Sequence, residues 1–214
     1  MKKISAVSII ALIAMTAVSF ANLFGMPAAG IGVIIGVVFF FINKAVEKQP
    51  FSESGLDIKT VGSGLKRKAV WFWMLTPILA NAACIMIAML FIPEFIPHVI
   101  SRVTSLVSFD KVSSLFVQFI VLALGEEIAW RAFFQKQLLK VMPLAPALII
   151  AAFLFGIGHF EQGDPVIAAF DVFFVAVNGV LYGIIFHKTD NAWVSAIAHF
   201  AANVFGFLVL IPFM

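Results

Sequence analysis

The chain has 214 residues, 63% of them hydrophobic and only 12% charged, with a mean hydropathy of +1.10. A soluble domain carries about 25% charged residues, so the composition argues against a globule surrounded by water and for an all-α, polytopic membrane helix bundle. The net charge of +3 does not indicate nucleic acid, because the bases sit between apolar runs, where membrane topology accounts for them.

In chain order, Lys2 and Lys3 precede an apolar run from Ile4 to Phe24. This pattern also fits a secretory signal, with Ser19-Phe20-Ala21 as its cleavage site. An uncleaved first span is the preferred reading, because further hydrophobic segments come at once after it. Met26 to Ile42 gives a second span after the Gly25-Met26-Pro27 corner. Residues 43–68 form the only long hydrophilic stretch, with Lys44, Lys48, Lys59, Lys66, Arg67 and Lys68 against Glu47, Glu53 and Asp57. Pro50, Gly55, Gly62 and Gly64 argue against one continuous helix there, so a basic cytoplasmic loop is expected.

Ala69 to Ile92 is the third span, interrupted by Pro77, with the single cysteine, Cys84, as a space-filler inside it. Residues 93–111 carry Glu94, His98, Arg102 and Asp110 and are assigned to an interface. Val112 to Leu139 is the fourth span, Ala147 to Phe160 the fifth, Val166 to His187 the sixth and Ala192 to Phe213 the seventh. With the N-terminus cytoplasmic, eleven of the fourteen bases fall on the cytoplasmic side, which predicts seven spans and an outer C-terminus. The chain divides into 1–111, N-terminal transmembrane helices with the 43–68 loop, and 112–214, where intramembrane polar residues concentrate.

Within the fourth span stand Glu126, Glu127 and Arg131. A charged side chain in hydrocarbon costs about 3 kcal/mol or more, so such residues are functional candidates. Glu127 and Arg131 are four apart, acid before base, the favourable order for a helical pair. Glu126 lies about 100° round the helix and has no partner within the motif. One glutamate is thus expected to be tied down and the other free for chemistry. His159 closes the fifth span, and His199 and Asn203 lie one turn apart in the seventh, with Ser195 a turn earlier on the same stripe. Singly, an intramembrane histidine or asparagine is as well explained by helix–helix hydrogen bonding. Together, these six residues on three successive polar-bearing helices read as one buried site.

Such a site suits hydrolysis. A desolvated carboxylate is a general base for water, a neutral histidine holds that water, and a second histidine with an asparagine amide donates to a developing oxyanion. No cofactor is required. Zinc is the alternative, ligated by Glu126, His159 and His199, although the helical HExxH pattern is absent. A Ser195–His199 nucleophile pair explains neither glutamate. Two features fit less neatly: Glu126 falls near mid-membrane whereas His159 falls near the outer end of its span, and Asp171, with Asn178 seven residues on, faces either the same cavity or the interface.

Glu126-Glu127…Arg131, Phe155…His159 and His199…Asn203, in that order on successive hydrophobic helices, resemble the CPBP family of type II CAAX prenyl endopeptidases and bacteriocin-processing enzymes, the Abi domain. The resemblance covers roughly Val112 to Phe213, and Ala132 replaces a glycine common in the family. It implies an intramembrane endopeptidase in which Glu126 activates water with His159. His199 and Asn203 would form the oxyanion hole, and Glu127 and Arg131 would support the site. Members are often described as metalloproteases. The implied partners are the bilayer and a hydrophobic or lipidated peptide, and the implied location is a bacterial plasma membrane. Two competing functions are a proton-coupled transporter, since Asp, Glu and His chains also make relays, and a non-catalytic immunity or scaffold protein of the same fold.

Overall fold

The computed structural model describes residues 4–24, 26, 29–106 and 112–213, and what it describes is all-α. Helix α1 (Ala6–Ala21) starts at Ser5, whose side chain accepts from the Ser8 N–H, and runs on into a 3₁₀ turn, Asn22–Phe24. Helix α2 spans Ala29–Val46, the short α3 Val61–Leu65, α4 Lys68–Phe91 and α5 Phe95–Leu106. Helix α6 (Val112–Glu127) continues through a π-helical segment, Ile128–Gln135, into α7 (Lys136–Leu138). The last three helices are α8 (Leu144–Ile157), α9 (Pro165–Thr189) and α10 (Ala192–Leu210).

Each of the seven apolar segments read from the sequence forms a helix, with boundaries displaced by a few residues. Among the described residues, four helical stretches are long and apolar enough to cross a membrane: Ala6–Phe24, Lys68–Phe91, Pro165–Thr189 and Ala192–Phe213. Gly30–Val46 and Leu144–Ile157 are apolar but shorter. Helix α6 gives way to the π segment after sixteen residues, and length and composition alone support four crossings among the described residues.

Local chemistry explains the ends. Asp164 accepts from the Val166 and Ile167 N–H groups and Pro165 occupies the first turn of α9, a favourable start. That helix stops at Asp190, in the left-handed region at φ 45°, and Asn191 then caps α10 by accepting from the Trp193 N–H. Pro77 is tolerated inside α4, and Pro93 comes just after its end.

The 43–68 stretch is more than a loop. It is folded on to the α9–α10 corner: Gly55 O accepts from the Ala192 N–H at 2.7 Å, and Asn191 Nδ2 donates to Asp57 O and Thr60 Oγ1 at 2.8 and 2.7 Å. Leu56 is buried beneath it.

Two close approaches set the core. A Cβ on Gly36 would lie 2.5 Å from Ala129 Cβ, so α2 rests directly on the π segment. A Cβ on Gly179 would lie 3.1 Å from Ala152 Cα, so α9 packs tightly against α8. Small residues at such crossings let backbones meet where no water is expelled to drive association. All eight residues of Ile128–Gln135 are buried, which puts the glutamate–arginine motif at the centre of the molecule.

Candidate active site

The π segment begins directly after Glu127, and single-turn π distortions gather at functional sites. Glu127 and Arg131 are 0% and 1% exposed, and Arg131 Nε lies 3.4 Å from Glu127 Oε2, so the expected pair forms. The guanidinium also lies over the Phe155 ring, 4.9 Å from its centroid, and 5.8 Å from that of Tyr182. These faces compensate part of a buried charge.

His199 joins the two glutamates. Its Nδ1 lies 3.1 Å from Glu127 Oε1 and its Nε2 3.7 Å from Glu126 Oε2. Its ring stacks on Tyr182, with centroids 4.3 Å apart and planes 17° from parallel. Glu126, which has no partner within its own motif, faces His199 from another helix. His159 lies just past the end of α8, with Nδ1 2.7 Å from Phe155 O. A carbonyl only accepts, so Nδ1 carries the proton and Nε2 is left to accept in the neutral ring. Ser195 Oγ donates to Ala192 O at 3.2 Å.

Glu126, His159, His199 and Asn203 all line one cavity of about 240 Å³. Despite the depth mismatch expected from the spans, Glu126 and His159 line the same cavity. The sequence-derived fifth span was placed three residues late.

Asp171 faces this same cavity, of the two placements considered. It is 3% exposed and bonded to Arg102 of α5, with His98 Nε2 3.4 Å away. Sequence reasoning missed Tyr182 and Asn81, for which nothing but position in a later-formed cavity was a signal. Asn81 Nδ2 donates to Ala202 O at 3.0 Å, and Asn178 Nδ2 donates to Asn81 Oδ1 at 2.7 Å. The Ala202 carbonyl dictates both amide orientations: it only accepts, so Asn81 turns its nitrogen there and its oxygen to Asn178. This ties α4 and α9 to α10 one residue before Asn203.

Among the described residues, no group of three or more His, Cys, Asp or Glu side chains is arranged to hold a metal ion. His199, a ligand in the zinc alternative, has one nitrogen on Glu127 and its ring against Tyr182. Glu126, His159 and His199, the set named for zinc, are not grouped as ligands around one ion.

Fold and site together define a helical membrane protein with a buried glutamate–histidine centre. Residues 108–205, nearly half of the chain, match the family model described as Rce1-like, type II CAAX prenyl endopeptidase. No curated protein and no solved structure matches the chain.

Proposed function

We propose that the protein is an intramembrane endopeptidase that hydrolyses a peptide bond of a membrane-associated, lipidated or otherwise hydrophobic substrate. The observation that carries this reading is the convergence of Glu126, His159, His199 and Asn203 on one cavity whose other walls are largely apolar, including Phe119, Phe174 and Phe207. Glu126 takes a proton from water held by His159 Nε2, and the hydroxide so formed attacks the carbonyl carbon. The Asn203 amide donates to the oxyanion. His199 is the second donor, its ring held by the Glu127 carboxylate at Nδ1. The tetrahedral intermediate collapses as Glu126 returns its proton to the departing amine, so the C–N bond breaks and two neutral termini leave. Glu127 and Arg131 hold His199 in place. The bilayer is the working medium, and the concentration of bases near α3, α7 and α9 supports a cytoplasmic N-terminus.

The test is cleavage of a panel of fluorogenic and prenylated peptides by the purified protein in detergent, for wild type and Glu126→Gln, with and without a strong chelator. Glu126→Gln is expected to lower kcat by about 10²–10⁴-fold, the usual worth of a general base, while chelation leaves wild type active. Loss of wild-type activity on chelation would instead assign Glu126, His159 and His199 to zinc. Wild-type inactivity across the panel would favour the scaffold reading.

A further inference from the structure

One end of the bundle carries nine bases, Lys44, Lys48, Lys59, Lys66, Arg67, Lys68, Lys136, Lys140 and Lys188, against four acids, Glu47, Glu53, Asp57 and Asp190. Three of those acids are engaged. Glu47 pairs with Lys140 at 2.7 Å, Asp190 pairs with Lys136 at 2.9 Å, and the Asp57 side chain accepts from the Lys59 N–H at 3.0 Å. Lys66, Arg67, Lys68 and Lys188 are exposed, and among the described residues none of them forms an ion pair. They make one patch: Arg67 Nη1 donates to Lys188 O at 2.6 Å, and Lys188 Nζ stands 5.2 Å over the Trp73 ring.

The patch continues into an apolar track. Directly after Lys68, α4 turns Trp71 (52% exposed), Leu75 (54%) and Leu79 (64%) outward on one helical stripe. Trp71 Nε1 donates to Leu65 O at 2.8 Å, so the indole sits at the junction of charge and hydrocarbon, where tryptophan concentrates in membrane proteins. Arg67, at the N-cap of α4, is extended and no side chain caps the helix, whose positive end therefore faces the patch.

We propose that this patch is a binding site for an anionic phospholipid: the headgroup phosphate lies among Lys66, Lys68 and Lys188, and one acyl chain runs along Trp71, Leu75 and Leu79. A soluble phosphate would use only the first half of this surface; a zwitterionic lipid would use the second half as any lipid does and gain little from the bases of the first. Each base near an anionic lipid surface strengthens binding roughly fivefold.

The test is native mass spectrometry of the intact protein released from mixed micelles of phosphatidylglycerol and phosphatidylcholine. Wild type is expected to retain phosphatidylglycerol in preference. The preference should weaken with salt and fall by the order of a hundredfold in Lys66→Gln/Lys68→Gln/Lys188→Gln, with Arg67 kept because its bond to the Lys188 carbonyl is structural. Lys48→Gln/Lys59→Gln, which removes charge from the same end of the bundle but outside the patch, should retain it nearly in full. Equal retention of both lipids by wild type, or the same loss in both variants, would overturn the proposal. Displacement of the lipid by inorganic phosphate at comparable concentration would overturn the lipid assignment. If the triple variant does not fold, Lys68→Gln and Lys188→Gln are read singly, each expected to lose about fivefold; no loss in either refutes the site.

Discussion

Arg131 has almost no contact with water and draws its compensation from one carboxylate and two aromatic faces. Arg131→Met leaves Glu127 buried without its cation, and the expected cost is about 3–5 kcal/mol, read as a lower unfolding midpoint in detergent. Glu127→Gln/Arg131→Met removes both charges and should recover much of that loss, because a buried pair replaced whole is often close to neutral. An Arg131→Met variant as stable as wild type would mean that the pair does not hold this part of the core. The sequence revealed the pair, since four-residue spacing along a helix is a local property. His199 was legible only as a polar residue aimed at the site. Its bond to Glu127 and its stacking on Tyr182 depend on how α6, α9 and α10 cross, which no spacing within a single segment encodes.

Elements were read better than their ends. Apolar runs fix where helices form, whereas Ile128–Gln135 gives no sign in composition that its backbone leaves the α-helical ladder; tertiary packing around Arg131 and Ala129 decides it. The α8–α9 pair was likewise legible as two apolar segments, but not its tightness. Gly179→Leu would drive a branched side chain into Ala152, and we expect it to lower the unfolding midpoint strongly and to abolish cleavage, since α8 carries Phe155 and leads into His159. Gly179→Ala should be far milder. If Gly179→Leu kept wild-type stability, the close approach of these helices would be refuted.

At the scale of the whole molecule, the division at residue 112 is a division of motifs and not of structure. All six residues proposed for catalysis and its support lie after it, and the preceding residues looked uninformative in the sequence. Yet Asn81, Cys84, Ile85, Phe95 and Arg102 supply part of the cavity wall, α2 rests on the π segment, and Asn22 bonds to the Gly158 carbonyl just before His159. A chain of residues 112–214 alone is therefore expected to insert without becoming active. Co-expression with residues 1–111 as a separate polypeptide should restore a measurable fraction of cleavage. Full activity of 112–214 by itself would show that the N-terminal helices are dispensable to the site.

The π segment acts as a phase shifter. An α-helix turns about 100° per residue, and widening the turns over Ile128–Gln135 changes the angular offset between α6 and α7 at its two ends. On one side of it Glu126 lines the cavity and Glu127 meets His199. On the other, Lys136 reaches Asp190 and Lys140 reaches Glu47. A regular helix of the same residues would satisfy one set of contacts and rotate the other out of reach. The irregular backbone thus lets a single helix serve two directions at once, the reacting centre and the charged end of the bundle.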